Sequence, residues 1–124
     1  MEMINEQFDD YVDEAFASLP EPTREKMHNV AIVVEDCPTE EQISKLGLNM
    51  GDSLFGLFEG FAQSKRLNFG AVLPDKITIF RKAILRYCST EEEVKAKIDN
   101  TLKHEIAHHF GSGEKGARKA SANN

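Results

Sequence analysis

The strongest constraint in this chain is one long helix that marks its own beginning and end. Ser89-Thr90-Glu91-Glu92-Glu93 is a helix start. A hydroxyl there caps the first free N–H groups, Glu93 can close a reciprocal box with Thr90, and the acidic residues suit the positive end of the helix dipole. Val94, Ile98, Leu102 and Ile106 follow at steps of four, which makes one apolar stripe. The spacing predicts a helix to about Phe110, with Gly111 taking the left-handed conformation that reverses the chain. A striped helix must bury its stripe, so the rest of the chain has to supply a surface for it.

Two kinds of partner are visible upstream. Phe8, Val12, Ala15, Phe16 and Leu19 recur at steps of three and four between acidic residues, which predicts an amphipathic helix over residues 4–19, ended by Pro20 and Pro22. A short helical turn over Thr23 to Met27 follows. Val30-Ala31-Ile32-Val33-Val34 is a β-branched run and reads as a strand buried on both faces. Thr39 and Gln42 form a capping box for a helical turn over 40–45, and Leu46 to Ser53 reads as loop. Leu54-Phe55-Gly56-Leu57-Phe58-Glu59-Gly60-Phe61 carries glycines that weaken an inner strand and suit an edge, or else mark a bulge or turn. Gln63 to Gly70 reads as loop, and Pro74-Asp75 opens a second good strand over Lys76 to Phe80. Ala83 to Tyr87 fits a helical or an extended connection equally well.

The 124 residues suit one domain, with 40% hydrophobic and 29% charged residues. A net charge of -6 argues against nucleic-acid partners, which need a dense positive surface. The one basic cluster, Lys115, Arg118 and Lys119, sits in a polar tail. No apolar run approaches the roughly 18 residues that a membrane-spanning helix needs. The N-terminus, MEMINEQFDD, is acidic where a secretory signal is basic and then apolar, so a cytoplasmic location is expected. Cys37 and Cys88 lack metal-site spacing and are expected to be free thiols.

The chemistry lies at the end of the striped helix, in His104-Glu105-Ile106-Ala107-His108-His109-Phe110-Gly111-Ser112-Gly113-Glu114. His104 and His108 are one turn apart and project from the same side, roughly 140° around the helix from the stripe. Glu105 lies between the two directions. In an HExxH helix the histidines bind Zn2+, and the glutamate takes a proton from the zinc-polarised water and delivers it to the leaving amine. A catalytic zinc needs a third protein ligand and an open fourth position. Glu114 is the one carboxylate after His108, and a reversal at Gly111 returns it towards the metal. The competing reading makes Glu114 a solvated acid in a glycine-rich tail. Glu59 and Asp75 are further candidates from upstream, and His109 points about 100° away around the helix.

These residues resemble a known group. HEIAHHFG, with VAIVVED, LFGLFEG and LPDKITIFRKAIL upstream, is similar to the small bacterial zincin-like family of metallopeptidases with a minimal matrix-metalloprotease-like fold. The resemblance runs from the first helix to Gly111. It implies zinc on His104 and His108, Glu105 as general base, and Glu114 where the family often has an aspartate. No methionine follows Met50, so the methionine turn of larger relatives is missing, as the reduced fold implies.

Together these readings predict an α+β fold: a small mixed β-sheet packed by an N-terminal helix and a C-terminal HExxH helix. Residues 1–111 form the single domain, and 112–124 supply the third-ligand loop and a polar tail. By analogy with zincins, LFGLFEGF is the edge strand of the cleft. The expected function is zinc-dependent hydrolysis of peptides or proteins bound in extended form. The alternatives are a zinc-binding interaction module without turnover, and a metal-free structural protein with incidental histidines.

Overall fold

A computed structural model describes residues 1–47, 54–60 and 74–110. In chain order the elements are α1 (Asn5–Ala17), α2 (Glu21–Lys26), β1 (Val30–Glu35), α3 (Glu40–Leu46), β2 (Gly56–Glu59), β3 (Asp75–Phe80), α4 (Arg81–Tyr87) and α5 (Glu91–Phe110). The strands form one mixed sheet in the order β1-β3-β2. β1 runs parallel to β3 with Ile32 opposite Ile77, and β2 runs antiparallel to it with Leu57 opposite Thr78. This is the α+β arrangement expected, with α1 and the HExxH helix α5 packed on a small mixed sheet.

β3 lies at the centre because its residues are the most completely buried, from Ile77 to Phe80. Ile77 and Ile79 enter a core shared with Phe8, Val12 and Ala15 of α1 and with Val94, Ile98, Leu102 and Ile106 of α5. The expected stripe of α5 is therefore the seam of the fold. Its start is held by the expected box: Glu93 N–H donates to Thr90 Oγ1 at 3.1 Å, and Thr90 N–H donates to the Glu93 carboxylate at 3.1 Å. Ser89 N–H donates to the same carboxylate at 2.7 Å.

The second box forms as well. Thr39 and Gln42 exchange bonds of 2.9 and 3.1 Å, and α3 ends on Gly47 at φ 68°, in the left-handed region that favours glycine. Pro22 does not end a helix. It sits in the first turn of α2, where a missing N–H loses no intrahelical bond, and α1 has already ended at Ala17.

A further expectation changes, and one open reading is decided. Val30 to Val34 is half-buried throughout, not buried on both faces. β1 is an outer strand of the sheet, so nothing flanks it on one side among the described residues. Val30, Ile32 and Val34 border a groove of about 580 Å³ shared with Val12 and Phe16. Ala83 to Tyr87, which fits helix or extended chain by sequence, is helical from Arg81 onwards. Arg81 anchors this helix. Its guanidinium pairs with Asp36 and with Asp9 at 3.1 Å, and lies 5.6 Å from the centre of the Phe8 ring. Those partners come from distant parts of the chain, which local propensity cannot anticipate.

Cys37 is exposed and Cys88 buried, and both are free thiols. Among the described residues no helix is long and apolar enough to cross a membrane. Of the loop expected from Leu46 to Ser53, Leu46 instead ends α3 and Gly47 caps it; the remainder, 48–53, and the expected loop over 63–70 lie outside the described residues.

If the Thr90 box holds α5 in place, Thr90→Ala will destabilise the protein by about 1 kcal/mol and lower the midpoint by about 4 °C. A thermal melt followed by circular dichroism checks this, and an unchanged midpoint would mean the helix start is held by packing alone.

Candidate metal centre

The last two turns of α5 carry the candidate site. His104 and His108 are both half-buried, and their rings stand 4.6 Å apart between centroids, tilted by 54°. Glu105 is buried, at 6% exposure. The difference follows from helix geometry. At about 100° per residue Glu105 falls beside the Leu102 and Ile106 rows, whereas His104 and His108 fall outside them. The packing that buries the stripe therefore also buries the carboxyl and leaves the imidazoles near the surface.

Glu105 has few polar companions. The backbone N–H of Phe58, on β2, donates a hydrogen bond to its carboxylate. His104 Nε2 lies 3.9 Å from Glu105 Oε2. Among the described residues no Lys or Arg pairs with it. Burial removes water from the charged form and raises its pKa from 4.5 to about 7, while the Phe58 amide opposes that rise. A buried carboxyl without a fixed cation is costly as a structural element, and its pKa is well placed for moving protons near neutrality.

The remaining candidates separate by position. His109 turns towards the sheet: its Nδ1 is 3.2 Å from Asp75 Oδ2, at ion-pair distance but not aligned as a hydrogen bond. Its ring meets Phe58 edge-on, with centroids 5.4 Å apart. Glu59 accepts a bond from Gln42 at 3.0 Å and lies 3.6 Å from Lys76 Nζ. Among the described residues no group of three or more His, Cys, Asp or Glu is arranged to hold a metal ion. Glu114, the expected third ligand, and Gly111, the expected reversal, lie outside them.

Sequence reasoning misses the Phe58 amide. A backbone donor carries no side-chain signature, and its role depends on how β2 lies on α5. The glycines of LFGLFEG are the available signal, since glycine within a strand marks close approach of another backbone.

Residues 27–120 match the family described as zincin-like metallopeptidase, a match that covers most of the chain and includes both histidines and Glu105. The chain belongs to this zincin-like family. A solved structure of a conserved hypothetical protein from Thermo thermophilus shares the fold, with a TM-score of 0.63 and 20% sequence identity over 88% of this chain and 95% of that one. Comparison with curated proteins yields no match.

Membership in a zincin-like family implies a metal, typically zinc, and the residues present fit it. Two imidazoles side by side offer nitrogen donors of the kind zinc prefers. Neither is committed to the apolar core, and a carboxyl suited to proton transfer lies directly beside them. A catalytic zinc requires three protein ligands, and these imidazoles are the candidates for two of them.

The raised pKa of Glu105 has a consequence for metal-free protein. Folding binds this proton more tightly than the unfolded chain does, so the stabilisation is complete below about pH 4.5 and is lost as pH rises through about 7. The shift corresponds to on the order of 3 kcal/mol. Glu105→Gln cannot ionise. In chelator-treated samples the variant should therefore gain on wild type by about that amount between pH 4.5 and 7, with little further change above. Chemical denaturation across this range measures it, and parallel stability curves would show that the Glu105 carboxyl ionises as it does in water.

Proposed function

We propose that this chain is a zinc-dependent peptidase that hydrolyses peptide bonds in substrates bound in extended form. The observation that carries this reading is Glu105. It is a buried carboxyl without a Lys or Arg partner among the described residues, held by the Phe58 amide next to the paired imidazoles of His104 and His108.

His104 and His108 would hold the zinc, with Glu114 as the third ligand. When bound, zinc supplies a Lewis acid that polarises the scissile carbonyl and makes water acidic enough to attack near neutral pH. Glu105 accepts one proton from the attacking water as its oxygen adds to the carbonyl carbon. It then delivers that proton to the amide nitrogen as the C–N bond breaks, so a carboxylate is regenerated with each turnover. In the metal-free protein burial raises the Glu105 pKa to about 7, within the range of a proton carrier near neutrality.

β2 supports the extended binding mode. Among the described residues it is an outer strand of the sheet, and it packs directly on α5. A peptide laid along such an edge can pair through its backbone while its side chains reach alternate faces.

A second reading, a zinc-bound interaction module without turnover, is favoured by the shortness of this edge. β2 has four residues, and the Phe58 amide is already engaged by Glu105.

Elemental analysis after dialysis and a peptide-library digest test both readings. The expected result is about one zinc per chain, lost in His104→Ala and in Glu114→Ala. Wild type should cleave library members, and Glu105→Gln should lower turnover by about a hundredfold or more while retaining zinc. Zinc retention without cleavage by wild type would favour the interaction module, and failure to bind zinc after loading would remove both.

A further inference from the structure

The antiparallel ladder determines which groups of β2 face inward. Phe80 N–H donates to Phe55 carbonyl oxygen at 2.9 Å, so this pair is hydrogen-bonded across the ladder. In such a ladder hydrogen-bonded and non-hydrogen-bonded pairs alternate. Gly56 opposite Ile79 and Phe58 opposite Ile77 are the non-bonded pairs, and Leu57 opposite Thr78 is the next bonded one. The N–H of Phe58 therefore points away from β3. At a sheet edge such a group ordinarily meets water or another strand. Here it meets the Glu105 carboxylate.

That meeting requires an unusually close approach of β2 to α5. A Cβ placed on Gly56 would lie 2.5 Å from Thr101 Cγ2 and 3.2 Å from Glu105 Cγ. It would also lie 3.2 Å from the carbonyl oxygen of Thr78, which is fixed in the central strand. The first distance is far inside van der Waals contact, and Thr101 is itself buried. Gly56 has no positive φ to explain it. The reason for glycine at this position is the helix lying against it.

We infer that Gly56 is a positioning residue for Glu105: its bare Cα lets β2 settle on α5 so closely that the outward-facing Phe58 amide holds the Glu105 carboxylate. The catalytic importance of that hold rests on the peptidase reading above, but the contact itself does not. A side chain on Gly56 wedges strand and helix apart, stretches the bond from the amide, and leaves Glu105 free to take other rotamers. The two imidazoles lie on a different side of α5 and keep their spacing.

The test combines amide hydrogen exchange, read by NMR, with zinc content and kinetics. The variants are Gly56→Ala, Glu105→Ala and the double variant Gly56→Ala/Thr101→Ser. The double variant removes the methyl that the new Cβ would strike. We expect the Phe58 amide to exchange at least about tenfold faster in Gly56→Ala and in Glu105→Ala than in wild type. In the double variant the rate should return most of the way.

In zinc-loaded protein, Gly56→Ala should lower kcat by about tenfold or more with KM and zinc content little changed, since small misplacements of a reacting group are costly. The double variant should recover kcat. If Gly56→Ala alone does not fold, recovery of fold and exchange protection in the double variant supports the inference, and failure to recover overturns it. A Phe58 amide indifferent to Glu105→Ala overturns it too, as does Gly56→Ala that loses zinc together with kcat. If wild type shows no turnover, the peptidase reading fails on its own, and the exchange rates still decide whether Gly56 positions Glu105.

Discussion

The rotational setting of α5 is the constraint from which the rest of the site follows. Val94, Ile98, Leu102 and Ile106 all turn into the core against β3 and α1. Burying each contributes about 1.5–3 kcal/mol, so together they outweigh the cost of about 3 kcal/mol for keeping the Glu105 carboxyl out of water. The helix cannot rotate to rehydrate Glu105 without exposing part of its stripe. Packing thus holds the carboxyl in a place that its own solvation opposes. The two histidines, on another side of the helix, stay half-buried.

Contacts at both ends of β2 hold the strand on this helix. Phe58 touches the His109 ring, and His109 in turn lies beside Asp75 at the start of β3. Lys97 stands 4.0 Å over the Phe55 ring and 4.7 Å over the Tyr87 ring, which joins the approach to β2 with α4 and α5. Between these ends the strand approaches so closely that a methyl group at Gly56 does not fit. A chain only 20% identical has the same fold, which is consistent with an architecture set by burial pattern more than by particular side chains.

Much of this is legible in the residues. Both capping boxes, the stripe of α5, the strand over Lys76 to Phe80 and the placement of His104 beside His108 are encoded by local spacing, and each forms as its sequence predicts. β1 is less deeply placed than its residues suggest. Val30 to Val34 has the composition of an inner strand, but its position in the sheet depends on strands more than 20 residues away. The local sequence of α4 does not choose between helix and extended chain, because its anchor, Arg81 between Asp9 and Asp36, is assembled from distant parts of the chain. Glu114 as third ligand is read from its spacing after His108 and from the family resemblance, and it lies outside the described residues.

The sequence by itself determined α1, α3 and α5, the capping boxes of α3 and α5, the faces that α1 and α5 bury, and the two histidines and glutamate that sit at one end of α5. Those properties arise from periodicity and from hydrogen bonds spanning one turn, so they need no knowledge of neighbours. Only the tertiary structure decided that β1 lies at an edge, that the Phe58 amide serves Glu105, and that Gly56 is empty because a helix fills the space beside it. Lateral order, close approach and desolvation are properties of surfaces brought together from distant positions in the chain. The raised pKa of Glu105 is the clearest case: the same glutamate on an isolated helix would be solvated and ionise near 4.5.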